Sequence, residues 1–271
     1  MSIKTIFLSL LLLLTLRANE RIISLSPSIT EILFALEKGD ELVGTSSYSL
    51  YPKEAQNLPV VGGYESPNVE KILALKPTLV VAQSYNQNIL EKLEHFNIKT
   101  LSLEFSTIMS IKESIVKLAD EVKANPHAII AEIDNALKNA KKSKTPHSVM
   151  IVYGLREDLR SSTYIAGHNI FFDDIITACG NTNAYKTNIT NQPVLSYENV
   201  IALNPEQIII LHSHATEANV DVKKALKAWH ALPTKASQNR RISIVDEEYL
   251  HIPSHRVALT IKRLCEEMSY D

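Results

Sequence analysis

The chain has 271 residues, 45% hydrophobic and 21% charged, with a formal net charge of -2 at pH 7, enough apolar material for one large core or two moderate ones. That balance argues against a nucleic-acid partner, and no basic run, Gly-rich phosphate loop or repeated aromatic-basic pattern speaks for one. Cys179 and Cys265 lie too far apart in sequence for a metal-type cysteine cluster, and the residues alone leave open either one bridge in an oxidising compartment or two buried thiols.

Residues 1–18 carry Lys4, an apolar block from Ile6 to Leu16, then Arg17-Ala18. This is the pattern of a secretory signal cut near Ala18, and the block is too short to span a bilayer comfortably. With no Cys at the cut, a lipid anchor is not expected, and the mature chain should be soluble outside the inner membrane.

From Arg21 the pattern reads as a strand (Ile22 to Leu25), then Ser26-Pro27-Ser28, then a helix beginning at Thr30. Strands are expected near Leu42–Gly44, Val60–Val61, Thr78–Ala82 and Lys99–Leu103, with helices between them. Alternation of this kind builds an open, mostly parallel sheet with helices on both faces. Residues 107–144 differ, being helical in pattern and free of glycine. Asn125-Pro126 is a cap plus a first-turn proline, which predicts one helix to about Lys123 and another from Pro126 to about Lys142. In the second, Ile129, Ile133, Ala136, Leu137 and Ala140 share a face. A helix of that length spans roughly 25 Å, enough for a strut between two lobes. After Pro146 the rhythm restarts with strands at Ser148–Tyr153, Ile208–Leu211 and Arg241–Val245, a helix from Asn169 to Cys179 ended by Gly180, and a last helix from about Ser254 to Met268.

One module occurs twice. Ser66-Pro-Asn-Val-Glu-Lys-Ile-Leu-Ala-Leu-Lys-Pro-Thr-Leu-Val-Val-Ala82 is echoed by Val194-Leu-Ser-Tyr-Glu-Asn-Val-Ile-Ala-Leu-Asn-Pro-Glu-Gln-Ile-Ile-Ile210. In each copy a cap (Asn68, Ser196) starts a short amphipathic helix, a proline (Pro77, Pro205) stops it, and an apolar run follows as a buried parallel strand. The reading is therefore a signal peptide over 1–18, an α/β lobe over 19–105, a helical segment with an inter-lobe helix over 106–146, and a second α/β lobe over 147–271. Clefts between such lobes are preferred places for a small ligand. With only seven glycines in the whole chain, a helical connection predicts stiff lobes with limited closure.

Neither Gly-x-Ser-x-Gly nor His-Glu-x-x-His occurs, so a secreted enzyme or a scaffold is only the rival reading. Histidines gather in the C-terminal half: His168, His212 and His214 directly after a strand, His251 and His255. His212 and His214, two residues apart, would share a face of an extended strand, and imidazole suits Ni, Fe or Co. Together with His251 they are the metal candidates, although each alone reads more simply as a loop histidine. Arg156 and Arg256 offer carboxylate or phosphate contacts.

The stretches Arg21-Ile-Ile-Ser-Leu-Ser-Pro-Ser-Ile-Thr-Glu-Ile-Leu-Phe-Ala35, Val43-Gly-Thr-Ser-Ser-Tyr-Ser-Leu-Tyr-Pro52 and Pro67-Asn-Val-Glu-Lys-Ile-Leu-Ala-Leu-Lys-Pro77 resemble the helical-backbone class of periplasmic substrate-binding proteins. These deliver iron-siderophores, haem or cobalamin to ABC importers. The segment Ser46-Ser-Tyr-Ser-Leu-Tyr-Pro52 is most similar to the cobalamin-binding members of that class. The resemblance implies two Rossmann-like α/β lobes joined by one long helix, a ligand in the shallow cleft, no catalysis and no cofactor. Cobalamin or a related corrinoid is the implied cargo, with siderophore, haem or nickel chelate as the alternative. The implied partners are the permease and ATPase of the importer. The resemblance places Tyr48, Tyr64 and Tyr249 as cleft aromatics, which suits a broad apolar ring fringed with amides. Ser28, Tyr85, Arg156 and His212 complete the candidate ligand set. It also implies a Cys179–Cys265 bridge, and it gives Glu70 and Glu198 as pegs that meet arginines on the permease. A carboxylate in a first helical turn also complements the helix dipole, a simple alternative, but both copies keep the residue within an otherwise drifting repeat, which favours docking.

Overall fold

The computed structural model describes residues 20–63, 65–159, 162–187, 192–213 and 220–269. The expected signal segment, Tyr64 and His214 lie outside the described residues. The first lobe runs β1 (Ile22–Ser24), α1 (Pro27–Ala35), β2 (Leu42–Thr45), α2 (Val69–Ala74), β3 (Leu79–Gln83), α3 (Gln87–Glu94) and β4 (Lys99–Leu103). Its strands form a parallel sheet in the order β2-β1-β3-β4. Two helices follow, α4 (Ile108–Glu121) and α5 (His127–Lys138).

The second lobe comprises β5 (Ser148–Tyr153), β6 (Thr163–Ile165), α6 (Phe171–Ala178), β7 (Thr182–Asn183), β8 (Val194–Leu195), α7 (Tyr197–Leu203), β9 (Gln207–Leu211), α8 (Val222–His230), α9 (Lys235–Gln238), β10 (Ile242–Val245) and α10 (Val257–Met268). Its sheet has the order β10-β9-β5-β6-β8, with β7 also beside β5. The strands β10, β9 and β5 are parallel, whereas β6 and β8 are antiparallel additions at one edge. The lobes thus own separate sheets, as the duplicated module requires.

The central strands are apolar on both faces because helices cover both sides: every residue of β1 and β9 is buried. One continuous apolar cluster links the lobes. It runs from Ile22, Leu79 and Leu101 through Ile115 and Leu118 of α4 and Ile129 and Ile133 of α5 to Ile151, Ile209 and Leu264. Smaller clusters fill the far side of each sheet, around Val80 and Leu93 in one lobe and Trp229 and Ile208 in the other. The lobes are therefore fused through packed helices, which opposes a wide hinge motion.

Several boundaries differ from the sequence expectation. The first helix starts at Pro27 with Ser26 as its N-cap, so the Ser-Pro-Ser segment is the first turn of the helix. Val60 makes only an isolated bridge to Thr45 and forms no strand. Helix α5 ends at Lys138 and not near Lys142. Its 12 residues reach about 18 Å, and the 14 of α4 about 21 Å. Beyond Ala140 the sequence is Lys-Lys-Ser-Lys, which has no apolar side chain to bury, so packing stops supporting the helix. The short strands β6, β7 and β8 have too few residues to show a period, and sequence gave no sign of them.

Both copies of the module end alike. Lys76 and Asn204, each directly before the stopping proline, take left-handed φ of 47° and 48°. Gly180, at φ 79°, turns the chain after α6 and lets Cys179 face α10. Cys179 and Cys265 form a disulfide with Cα atoms 5.1 Å apart across 86 positions of sequence. It ties α6 to α10.

Candidate functional site

In parallel sheets of this type, ligands sit outside the carboxyl ends of the strands. In the first lobe those ends carry a buried hydroxyl network. Thr30 Oγ1 lies 2.7 Å from Thr45 Oγ1 and 2.9 Å from Ser24 Oγ, and Ser46 Oγ lies 3.3 Å from Ser49 Oγ. The Gln83 amide donates to Ser26 Oγ at 2.7 Å. These bonds pin the loop after β2 from below, and the Ser47 amide anchors it sideways to the Gly62 carbonyl at 2.8 Å. What the pinned loop presents is Tyr48, at φ 65° and 62% exposed. A bulky side chain in the left-handed region costs about 1 kcal/mol, and such strain persists where the surroundings impose it. Tyr85, in the turn after β3, is 52% exposed on the same lobe.

The second lobe contributes from the ends of β5, β9 and β10. Tyr153 closes β5, with its ring edge-on to Phe172 at 5.6 Å and near His251 at 6.3 Å. Burial pushes its hydroxyl above the ordinary tyrosine range. Arg156 follows on an exposed loop. His212 follows β9 and is buried, its Nδ1 3.4 Å from Asp246 Oδ2. Tyr249 lies in the turn Glu248–His251 after β10, half-buried, and loss of solvent followed by the nearby Glu247 raises its hydroxyl pKa.

The lobes meet through residues that sequence reading had not paired. Glu31, 1% exposed on α1, accepts Arg256 Nε at 2.9 Å on Oε2 and Arg256 Nη2 on Oε1, and Ser254 Oγ donates to the same carboxylate. The Arg256 guanidinium lies 3.9 Å over the Tyr51 ring of the first lobe and 5.8 Å from the Tyr249 ring of the second. Arg256 is thus a clasp between lobes and not the open anion contact that sequence suggested. Because Glu31 follows the end of β1 and Arg256 follows the end of β10, the clasp holds two carboxyl sheet edges against each other. Tyr48, Tyr85, Arg156 and Tyr249 belong to those edges. Ser28 and His212 also stand there, but they are buried at 2% and 3% and build the floor under the exposed residues. Among the described residues, no group of three or more His, Cys, Asp and Glu is placed to hold a metal ion.

Glu70 and Glu198 each occupy the second position of a helix whose first turn is capped. Asn68 Oδ1 accepts from the Lys71 amide at 2.9 Å, and Ser196 Oγ from the Asn199 amide at 3.4 Å. Both carboxylates are exposed. Hydrogen bonds from Ser196, from its own amide and from Tyr197 hold the Glu198 carboxyl below its ordinary range. The signal available in sequence was the repeat itself. Glu31 gave none, since its partner is 225 residues away.

Residues 22–249 match the family of periplasmic binding proteins. The chain belongs to that family. It is 30% identical over 269 residues to the vitamin B12-binding protein of Yersinia pestis, covering 96% of this chain and 90% of that one. Among solved structures it is similar to the periplasmic vitamin B12 binding protein BtuF of Vibrio cholerae, with TM-score 0.68 and 25% identity, covering 92% of this chain and 96% of that one. The periplasmic haem binding protein HutB of Vibrio cholerae is as similar, with TM-score 0.75, 25% identity, and coverage of 92% and 99%. Periplasmic binding proteins of the ABC-importer type hand a small molecule to a permease and its ATPase, and they are not an enzyme family. Among the described residues of this periplasmic binding protein, no helix is long and apolar enough to cross a membrane.

Proposed function

We propose that this periplasmic binding protein carries a corrinoid of the cobalamin type between its lobes, in the periplasm, after removal of the leader at residues 1–18. The observation that carries the reading is the strained, network-pinned Tyr48, which holds an aromatic face out into solvent at the carboxyl sheet edge, with Tyr85 also exposed on the same lobe and Tyr249 half-buried on the other. Planar side chains from both lobes suit a broad apolar macrocycle, and the hydroxyls and Arg156 supply hydrogen bonds to its amide fringe. The 30% identity to a vitamin B12-binding protein over almost the whole chain supports the same choice. Glu70 and Glu198, one on each lobe, dock the loaded protein on arginines of the permease, where two-point guanidinium contacts reward ionised and exposed carboxylates.

A haem carrier is the second reading, favoured by the fold similarity to HutB and by tyrosine hydroxyls able to meet iron. Calorimetric titration of the purified mature protein with cyanocobalamin, haemin, nickel-histidine and a ferric siderophore tests the choice. Submicromolar binding of cyanocobalamin is expected. Haemin binding of that strength with no corrinoid response would replace corrinoid by haem.

A further inference from the structure

Two loops, one from each lobe, carry tyrosines at the carboxyl sheet edges, and one side chain touches both loops. Tyr48 and Tyr51 share the short loop after β2, where the Leu50 amide donates to the Tyr48 carbonyl at 2.9 Å and the Gln56 side-chain amide donates to the Leu50 carbonyl at 2.9 Å. A loop tied this tightly moves as a unit, so a shift of Tyr51 carries Tyr48 with it. The hydroxyl network beneath fixes that loop to its own lobe. Tyr249 stands on the turn Glu248–His251 of the other lobe. The Arg256 guanidinium lies 3.9 Å over the Tyr51 ring and 5.8 Å from the Tyr249 ring, while the Glu31 carboxylate accepts from two of its nitrogens. Tyr51 is 44% exposed, whereas Glu31 is 1% exposed and out of reach of any ligand. The lobes are also joined elsewhere. The Phe171 amide donates to the Ser106 carbonyl at 2.5 Å and the Ile108 amide to Asp174 Oδ2 at 2.8 Å, in addition to the continuous apolar cluster. Releasing Arg256 would therefore leave the lobes attached and change how their aromatic loops face each other.

We propose that Glu31 and Arg256 are positioning residues for ligand binding: the guanidinium sets the spacing between the Tyr48–Tyr51 loop and the Tyr249 turn, so that both aromatic walls are in register for one broad, flat ligand before it arrives. The inference rests on the cleft reading given above and deepens it, by naming what holds the walls in place. A guanidinium bound at two points to a carboxylate has a fixed plane as well as a fixed position. The ring that stacks on it is fixed in turn, and here the rings come from both lobes. With a side chain only 11% exposed, Arg256 acts through the two tyrosines. A planar ligand that touches both walls is sensitive to their spacing, whereas one seated on a single lobe is not. When the competent arrangement is only fractionally populated, affinity falls by that fraction, so a group that holds the walls in register strengthens binding without a contact of its own.

The test is calorimetric titration of the mature protein with cyanocobalamin, with haemin run in parallel. Glu31→Gln breaks the charge contact at a residue that no ligand touches, and cyanocobalamin should bind it about tenfold more weakly. Glu31→Leu with Arg256→Met removes the buried pair as a unit and should show a similar loss at near wild-type stability, which keeps the test open should Glu31→Gln fold poorly. Tyr51→Leu should lose about three- to tenfold, and the conservative Tyr51→Phe, which keeps a ring over the guanidinium, should restore binding to within about twofold of wild type. In every weakened variant the binding stoichiometry should stay at the wild-type value while Kd rises. A lowered stoichiometry with unchanged Kd would show that part of the protein is misfolded and that the pair is merely structural, which overturns the proposal. Kd within twofold of wild type in both Glu31→Gln and the double variant overturns it as well. Where the wild type binds haemin and not cyanocobalamin, the same comparison is read on haemin, because the inference concerns the spacing of the walls. A wild type that binds neither removes the cleft reading and the inference together; a wild type that binds, with variants that bind equally well, removes the inference alone.

Discussion

The guanidinium of Arg256 grips both carboxylate oxygens of Glu31 across the lobe boundary while lying 3.9 Å over the Tyr51 ring. Side-chain exposure is 11% for Arg256 and 1% for Glu31, so neither charge is well solvated alone. Removing one partner of such a pair leaves an uncompensated buried charge and costs about 3 kcal/mol or more, whereas replacing both with apolar groups is close to neutral. Arg256→Met should therefore lose about 3 kcal/mol in urea unfolding, and Glu31→Leu combined with Arg256→Met should recover most of it. Equal losses in the single and double variants would mean that the clasp contributes through packing alone.

The neighbouring His255 makes acid sensitivity a second expectation. Burial first, then the adjacent Arg256 charge, lowers its pKa from the ordinary 6.5 to about 4. A depressed histidine binds its proton more tightly when unfolded, so its contribution is full above pH 6.5 and is lost as pH falls towards 4, with an upper bound of ~3 kcal/mol. Glu31 acts in the opposite sense. Burial outweighs its bonds to Arg256 and Ser254 and raises its pKa above 4.5, so acidification through that raised value gains stability. Urea unfolding at pH 7 and pH 4.5 should show a net fall for the wild type, and His255→Gln should flatten it by about 1–2 kcal/mol. An unchanged slope in His255→Gln would remove the histidine from the account.

The disulfide closes a loop of 86 positions and should hold α6 and α10 together in the unfolded chain as well. Constraint of a loop that long is worth roughly 4–5 kcal/mol in the chain-entropy account. Cys179→Ser with Cys265→Ser should unfold at markedly lower urea, and denatured, unreduced wild-type protein should take up no thiol reagent. Two labelled thiols would show that the bridge does not form.

Tyr48 and Tyr85 are 62% and 52% exposed, so truncating them should leave the buried core intact and touch the ligand. Tyr48→Ala and Tyr85→Ala should each weaken cyanocobalamin about tenfold, with thermal midpoints at or above wild type. For Tyr48→Gly, relief of the left-handed strain at φ 65° should raise stability slightly while affinity falls. Full affinity in both alanine variants would move the ligand elsewhere on the protein.

Much of this was legible along the chain. The repeat around Asn68 and Ser196 announced two lobes, because a cap, a stopping proline and an apolar run are local signals that survive divergence. It also singled out Glu70 and Glu198 as equivalents. The strands β6 and β8 escaped notice because three and two residues cannot display a period.

Local chemistry along the chain was enough for the main alternation of strand and helix and for the duplication, and the resemblance of its motifs pointed to the family. Only the folded molecule decided that Glu31 meets Arg256, that Cys179 meets Cys265, and that Ser28 and His212 are buried while Tyr48 stands out. Each of these depends on which surfaces are brought together over tens to hundreds of residues. Burial, charge pairing and exposure arise from that juxtaposition, and no local pattern encodes it.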